Sequence, residues 1–400
     1  MLSEQKNSDT RAFFSLSEGM IHERTLPEAR GKRCWGSQGW LITFSIDFNI
    51  SLLNPLTRLQ IQLPPHRTFK NHYDTSEEDE EFGYTPIELQ EMYILKAIVS
   101  SSPSSTSDYV VMVIHGPNIQ LAFARPGDEA WTTIEETRPA RYFDVIYYKE
   151  KFYAVNSLGV VVVCDVQGPN PTDLQIIAKA PKKLLAGCPR KIYLVESSGT
   201  LLVVSRYVHS DEVNEVSVYQ TTEFRVFKPD LSKSNGKWVE LKNLGDRALF
   251  LGHSSSMSIV ASDFPKCKAN CIYFTDDLEE PYCCNPEGGG KDMGIFDLED
   301  GSFMSHYTVK KYDGKPALNP VRVGATSDQR KAAIGGIAGK QKQCQAKVVP
   351  KMRLQTWDSV CKHEGTEDDN IVPAEETEQC CMMGWRCSAA GKRHFGYLRN

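Results

Sequence analysis

The amino-acid sequence predicts an all-β fold, a β-propeller of four-stranded blades with about five recognisable blades and an N-terminal partial blade. Apolar residues occur in short runs of strand length, and Gly, Pro, Asn, Asp or Ser residues bound each run. No amphipathic helix of three clear turns is expected between residues 30 and 310. Similar strand endings also recur along the chain, which is typical of a repeat architecture.

The strands are predicted from these apolar runs, taken in chain order. They are expected at residues 40–44, 50–53, 93–99, 109–114, 119–123, 143–148, 152–155, 160–164, 192–195, 201–204, 224–227, 258–261, 271–274 and 294–298. Two further runs, at residues 13–16 and 21–26, resemble the outer two strands of a blade. We therefore expect the N-terminal blade to be partial and the ring to be open beside it.

The blades are predicted from the third strand of each unit, which ends near an aromatic residue, an Asp or an Asn. The anchors of these strands are Leu53, Phe123, Cys164, Phe227 and Phe296. The shortest step between anchors is 41 residues, which matches a four-stranded blade of about 40 to 50 residues. This repetition favours a propeller over a β-sandwich, which remains the alternative fold.

The longer steps contain polar insertions. These are residues 74–81, which are strongly acidic, and residues 100–107, 209–220 and 279–291. Segments of this composition are typical of surface loops between blade strands. The acidic run is interpreted as a solvated loop, with docking of a basic client as the alternative.

The domain boundaries follow from a change in pattern near the C-terminus. Residues 12–315 are assigned to the propeller, and residues 321–400 to a poorly ordered tail without period-2 alternation or a sustained helical face. The tail carries 13 Lys and Arg against 9 Asp and Glu, whereas the whole chain has a net charge of -5, so the body is acidic. An acidic body disfavours nucleic acid as the main partner.

The composition also bears on location. The polar N-terminus and the short apolar runs predict neither secretion nor membrane insertion. Twelve Cys without a signal sequence fit a reducing compartment. We therefore expect a cytoplasmic or nuclear protein without disulfides.

Four motifs in order carry a family resemblance. Residues 244–252, 261–265, 270–277 and 292–301 resemble the KIB-type propeller of plant F-box proteins. Residues 39–41, 53–57 and 63–65 resemble the first full blade of that family, and the resemblance covers about residues 12–315.

The resemblance implies a function. Members of the family usually begin with an F-box, a helical module that docks on the Skp1 adaptor of a cullin ubiquitin ligase, and they present the propeller to a client protein. No such module is found before residue 12, so binding of the Skp1 adaptor is not expected for this chain. The client itself is unknown, and no cofactor is expected.

Candidate site residues fall into two groups. The residues expected to bind a partner are the aromatic side chains Trp131 and Trp238, expected to be exposed, together with Asp246, Arg247 and His253. A structural role, such as capping turns between strands, is expected for the family-motif residues Asp263, Asn270, Asp276, Asp277, Asp292 and Asp297.

Metal and nucleotide sites are not predicted. Cys267, Cys271, Cys283 and Cys284 lack the paired spacing of structural zinc sites. The tail has enough metal ligands but irregular spacing; they are Cys344, Cys361, His363, Cys380, Cys381, Cys387 and His394. Residues 335–342 differ from a phosphate-binding loop, since Lys340 is followed by Gln341.

Three functional hypotheses result. The first is a non-enzymatic recognition propeller derived from a ubiquitin-ligase substrate receptor. The second is an enzyme that uses inward carboxylates in the propeller channel. The third is a non-functional truncated paralogue.

Overall fold

The computed structural model of the protein describes residues 8–15, 18, 20–70, 85–135, 140–187, 189, 191–213, 216–231, 236–278 and 292–304. The predicted tail and the acidic run at 74–81 lie outside the described residues. By its internal contacts the chain divides into two compact units. One unit holds residues 1–207 and 222–320, and the described part of the other is the ends of two paired strands within residues 208–221.

The first unit is a β-propeller, as predicted. An N-terminal hairpin, β1 (Thr10–Ser15) and β2 (Met20–Thr25), precedes the first blade, which comprises β3 (Arg33–Ser37), β4 (Trp40–Phe44), β5 (Ile50–Leu53) and β6 (Gln60–Gln62). The helix α1 (Pro86–Met92) leads into the second blade, formed by β7 (Ile94–Val99), β8 (Val111–His115), β9 (Gln120–Ala124) and β10 (Thr132–Thr133).

The third and fourth blades follow the same plan. The third contains β11 (Tyr142–Tyr148), β12 (Lys151–Asn156), β13 (Val160–Cys164) and β14 (Leu174–Lys179). After the short helix α2 (Lys182–Leu185), the fourth contains β15 (Lys191–Ser197), β16 (Thr200–Val213), β17 (Val216–Pro229) and β18 (Trp238–Leu241).

The fifth sheet departs from the four-stranded plan. Its strands are β19 (Arg247–Leu251), β20 (Met257–Val260), β21 (Cys271–Phe274), β22 (Gly294–Asp297) and β23 (Phe303–Met304), in the spatial order β20-β19-β21-β22-β23. The chain turns back after β19, so that β20 contacts the inner strand β15 of the fourth blade. The strand β21 then runs parallel to β19.

The blades pack through apolar layers because successive side chains of a strand point to opposite faces. In β8, Val111 and Val113 lie in the layer shared with the first blade, whereas Met112 and Ile114 lie in the layer shared with the third. A blade is therefore buried on both faces, which explains why its strands read as continuous apolar runs.

One predicted insertion is not a loop. Residues 209–220 were expected to form a polar surface loop, but residues 209–213 belong to β16 and residues 216–220 to β17. The expectation was wrong because the alternating Val and Tyr residues of this segment suit strands despite its many polar residues. Residues 100–107 do form a loop between β7 and β8.

The N-terminal partial blade is confirmed as a two-stranded sheet. The strand β1 pairs with β2 in antiparallel register, from Thr10 opposite Thr25 to Ser15 opposite Met20. The side chain of Phe13 packs with Leu26, Leu41 and Leu53, so the hairpin covers the flank of the first blade.

An open ring, as the sequence predicts, would expose apolar side chains on the flanks of the first blade and of the fifth sheet, and the structure contradicts such exposure. On the fifth sheet, Cys271 and Tyr273 are buried, and Cys267 of the β20–β21 connection packs against them. That connection also reaches the hairpin, where Lys266 Nζ donates to Glu18 O (3.0 Å). Together the connection and the hairpin cover the two flanks that the sequence predicted to be open.

The described helices are short. The helix α1 (Pro86–Met92) begins with a capping box at Thr85, in which Glu88 N donates to Thr85 Oγ1 (3.3 Å) and Thr85 N donates to Glu88 Oε2 (2.8 Å). In the described part of the chain, no helix has the length and apolar composition that a membrane crossing requires.

Candidate functional site

The inner strands of the propeller are joined around the centre by polar contacts, beginning with the first three blades. Val99 N of β7 donates to Ser37 Oγ of β3 (3.0 Å). Lys96 Nζ of β7 forms an ion pair with Asp144 Oδ1 of β11 (3.0 Å). Both side chains of this pair are almost fully buried.

The contacts continue through the fourth blade and return to the first. Leu194 N of β15 donates to Asp144 Oδ2 (2.9 Å), and Ser197 Oγ of β15 lies 2.9 Å from Ser258 Oγ of β20. Ser255 N then donates to Gly36 O of β3 (3.0 Å). These contacts, which we call the central circle, link all five sheets.

The segment 252–256, between β19 and β20, reaches the inner strands of the first two blades. Lys96 Nζ donates to Gly252 O (3.2 Å) and Ser254 O (2.8 Å). Gly36 N donates to Ser254 Oγ (3.0 Å), and a Cβ placed on Gly36 would lie 3.3 Å from that oxygen. A side chain at position 36 would therefore crowd the closing contact.

A second polar group joins the fourth blade to the fifth sheet. The fully buried guanidinium of Arg206 contacts Asp277 Oδ1 (2.7 Å) and Asp292 Oδ2 (2.9 Å). Tyr193 OH donates to Asp277 Oδ1 (2.8 Å), and Lys191 Nζ donates to Asp277 O (2.7 Å). We call these residues the Arg206 cluster, and it holds both ends of the β21–β22 connection.

The electrostatics of the Arg206 cluster keep the Asp277 carboxylate ionised. Burial by itself would raise the pKa of Asp277, but Lys191 and Arg206 outweigh it and lower that pKa below its ordinary value. The guanidinium lies over two aromatic rings, 4.9 Å from the centroid of Phe274 and 5.8 Å from that of Phe224. The arrangement therefore has the charge pairing and the hydrogen bonds that a buried ion requires.

His253 lies in the segment 252–256, which joins β19 to β20. Its Nδ1 atom is buried and has no hydrogen-bond partner among the described residues. Burial lowers the pKa of His253, and the positive charges of Arg33 and Lys191 lower it further. The imidazole is therefore neutral at physiological pH. Among the described residues, no group is bonded to Nδ1 in the way that would orient the ring as a general base.

The predicted exposure of Trp131 was wrong. Its side chain is 4% exposed, its ring stacks on Phe69 (4.8 Å between centroids), and its Nε1 donates to Pro64 O (2.8 Å). The chain that leaves the first blade crosses this tryptophan and covers it, so Trp131 cannot present a surface to a partner.

The other residues predicted to bind a partner lie in different sheets. Trp238 is half-buried in the layer between the third and fourth blades. Asp246 is exposed and its carbonyl accepts from Ala261 N (2.8 Å). Arg247 Nε donates to Ser258 Oγ (2.7 Å). Trp238 thus lies in a different sheet from Arg247, whereas Asp246, Arg247 and His253 all lie in or beside β19 of the fifth sheet.

The family-motif residues lie in the turns of the fifth sheet. Asn270 has a φ of 57°, and its Oδ1 accepts from Leu244 N (2.8 Å). Asp297 Oδ1 accepts from Glu299 N (3.0 Å), and Asp276 Oδ2 accepts from Asp292 N (3.1 Å). Asp263 is exposed in a single 3₁₀ turn. Asp277 and Asp292 instead take part in the Arg206 cluster.

Sequence reasoning missed Lys96, Asp144, Lys191, Tyr193 and Arg206. The detectable signal was one charged residue inside an otherwise apolar inner strand, as Lys96 in β7 and Asp144 in β11 show. Charges at such positions are rarely buried unless they are paired. The partner of each charged residue, however, lies on another blade, and only the folded propeller brings the two together.

No group of three or more His, Cys, Asp and Glu side chains is placed to hold a metal ion in the described part of the chain. Burial raises the pKa of Cys271 to about 11, so its thiol stays protonated. The remaining cysteines and histidines considered for zinc, from Cys283 onward, lie outside the described residues.

A surface groove of about 350 Å³ lies where the third and fourth blades meet. The turn after β11 supplies Tyr148 and Lys149, and the turn after β15 supplies Gly199 and Thr200. The rest of the lining comes from the fourth blade and consists of Leu201, Lys228, Pro229, Asp230, Leu231, Lys237 and Val239. Trp238 follows Lys237 in β18 and so flanks the groove.

The chain is similar to plant F-box proteins. The F-box protein SKIP23 of Arabidopsis thaliana is 28% identical over 317 residues, which cover 69% of this chain and 72% of that protein. The F-box protein At4g35733 of the same plant is 24% identical over 287 residues, with coverage of 67% and 71%.

The chain also resembles solved β-propellers and matches a propeller family. The β-propeller domain of Cps50 (Swd1) from Myceliophteria thermophila matches with a TM-score of 0.35 and 10% identity, over 78% of this chain and 89% of that one. The family model described as the KIB1-4 β-propeller matches residues 13–297. That range spans well over half of the sequence, and the chain therefore belongs to the KIB1-4 β-propeller family.

Proposed function

We propose that this propeller recognises a client protein on behalf of a cullin-type ubiquitin ligase and performs no catalysis itself. The observation that carries the proposal is the shared propeller, since the match covers 72% of the F-box protein SKIP23. The protein supplies the client-binding surface in this account. We propose the cytoplasm, the nucleus or both as its location.

The pairing of the buried carboxylates supports recognition over catalysis. A channel enzyme needs inward carboxylates that are free to act on a substrate. Here Asp144 is paired with Lys96, and Asp277 and Asp292 are paired with Arg206. Since these carboxylates are already paired, the surface groove between the third and fourth blades is the better candidate for binding.

The experiment joins the chain to an F-box from a relative and expresses the fusion in plant cells. Quantitative proteomics then compares protein abundance with and without inhibition of the cullin ligase. We expect a small set of proteins to fall at least about twofold, because a recruited client is ubiquitinated in the fusion complex. Inhibition of the ligase should restore them.

The control is the same F-box joined to an unrelated propeller. If no protein falls with the fusion but not with the control, the proposed role in client recognition is wrong. The chain without an added F-box should show no stoichiometric complex with purified Skp1 adaptor in size-exclusion chromatography. A stable complex would contradict that part of the proposal.

A further inference from the structure

We propose that the groove between the third and fourth blades binds an acidic peptide segment that carries an apolar anchor residue. This inference rests on the proposed function, because it names the chemistry of the client that the propeller recognises. It assigns the binding site to residues that neither the family motifs nor the central circle use.

The floor of the groove is formed by buried, largely apolar residues. Tyr148 is 7% exposed and Leu201 is 1% exposed, and Pro229 is also buried. Tyr148 OH donates to Gly199 O (2.6 Å), which ties the turn of the third blade to the turn of the fourth. A preformed apolar floor favours an aliphatic or aromatic side chain, because little ordering entropy is lost when it binds.

The rim of the groove is basic. Lys149, Lys228 and Lys237 are exposed, and Asp230 is the one carboxylate among the lining residues. None of the three lysines forms an ion pair with a residue that the structure describes. Lys149 Nζ lies 5.1 Å from the centroid of the Tyr148 ring, so one cation sits directly at the edge of the apolar floor.

Unpaired lysines beside an apolar floor complement an acidic segment. Attraction between exposed charges acts over about 10 Å at ordinary salt concentration, so the local lysines matter more than the acidic charge of the whole body. Some exposed lysines elsewhere on the propeller are paired, as Lys151 is with Asp165 (2.9 Å).

The size of the groove limits the occupant. A volume of about 350 Å³ accommodates the side chains of a few residues and no folded domain. A short extended segment can also continue along the edge strand β18, where Val239 is 56% exposed. The occupant we infer is therefore a linear segment with Asp or Glu residues on both sides of one Leu, Ile or Phe.

The test is a fluorescence-anisotropy titration with a labelled peptide of about 12 residues, in which Asp and Glu flank one Leu and one Phe. Wild-type protein should bind it, and the variant Lys149→Glu/Lys228→Glu should bind at least about tenfold more weakly, because charge reversal turns attraction into repulsion. The affinity of the wild type should fall several-fold between about 50 and 200 mM salt.

The matched control is Lys179→Glu/Lys182→Glu, which makes the same change of charge at two exposed lysines outside the groove. It should bind the peptide within about twofold of the wild type. A peptide with Asn and Gln in place of Asp and Glu should bind weakly or not at all.

Two results would overturn the inference. One is equal weakening by the groove and control variants, which would mean a non-specific charge effect. The other is tighter binding of a single-stranded RNA oligonucleotide than of the acidic peptide, with the same dependence on Lys149 and Lys228. If the fusion depletes clients but the acidic peptide does not bind, only this inference is wrong. If the peptide binds through Lys149 and Lys228 but the fusion depletes no protein, the proposed function alone is wrong.

Discussion

The apolar layers between the blades and the polar centre of the ring hold the same sheets together in different ways. In the layers, residues such as Val113 and Ile114 are fully buried and contact their neighbours without directional bonds. In the centre, Lys96 and Asp144 are buried to almost the same degree and each has specific partners.

This difference suggests that the two regions have different roles, one in the stability of the fold and the other in the arrangement of its strands. Burial of apolar area stabilises the fold in rough proportion to the area removed from water, and it tolerates side chains of similar volume. A buried ion pair adds little net stability, but leaving one member alone is costly. We infer that the central circle and the Arg206 cluster set which strands meet at the centre, while the layers provide most of the stability.

The largest effect is expected from Asp277→Asn. This change removes one counter-charge from the buried Arg206 and Lys191, which should lower the free energy of unfolding by about 3–5 kcal/mol. Urea denaturation followed by tryptophan fluorescence measures it. The matched control is Asp263→Asn, a motif carboxylate on the surface, which should change that free energy by no more than about 0.5 kcal/mol. Equal effects would contradict a specific role for the cluster.

A somewhat smaller effect is expected from Lys96→Met, which leaves Asp144 charged and buried. We expect a loss of about 3 kcal/mol in the free energy of unfolding. The double variant Lys96→Met/Asp144→Asn should be more stable than the sum of the single changes by about 1–3 kcal/mol, because the second change removes the orphaned charge. Strict additivity in a double-mutant cycle would show that the two side chains do not interact.

A pH dependence is expected from His115, whose ring stacks on Phe69 at 4.1 Å between centroids. Burial lowers its pKa to about 3, with a further contribution from His66. Since the unfolded chain titrates near about 6.5, the unfolded state binds more protons below that pH, and stability is lost as pH falls from about 6.5 toward 3.

The variant His115→Phe should lack this loss. Wild-type protein should lose about 2 kcal/mol more than the variant between pH 7 and pH 5, because one pKa unit corresponds to about 1.4 kcal/mol. Denaturation curves at both pH values give the difference, in which any constant packing cost of the larger ring cancels. A pH slope unchanged by the substitution would show that His115 is not held neutral.

The smallest effect is expected at Asn270, which has a φ of 57° in the turn before β21. The variant Asn270→Gly keeps access to this backbone conformation but loses the bond to Leu244 N. The variant Asn270→Ala loses both the hydrogen bond and the ready access to a positive φ. It should be less stable than the Gly variant by about 1 kcal/mol. Thermal or urea denaturation compares the two, and equal stability would show that the positive φ carries no cost.

The strands were predictable because each blade is buried on both faces, so that its strands consist of consecutive apolar residues. The observed β4, β13 and β21 have the predicted bounds. The inner strand β3 was not predicted, because Cys34, Trp35 and Gly36 lack a strand-like apolar run. Only residues 201–204 of β16 and 224–227 of β17 were predicted, because the rest of these strands consists mostly of polar residues.

The site was less predictable because it depends on contacts between distant residues. Asp277 was recognised as a motif residue, but its partner Arg206 lies 71 positions earlier and no local pattern connects them. Trp131 was misjudged for a related reason, since the chain that covers it comes from the preceding blade. The groove likewise combines turns of two blades, which only the ring brings together.

The most direct test of the account is one acidic-peptide titration carried out on two folded variants. We assign a structural role to the ion pairs at the centre and a role in client binding to the groove. The variant Lys96→Met/Asp144→Asn should therefore bind the peptide as the wild type does, while Lys149→Glu/Lys228→Glu should lose at least about tenfold in affinity with unchanged stability. Loss of binding in the central variant with full binding in the groove variant would contradict the account.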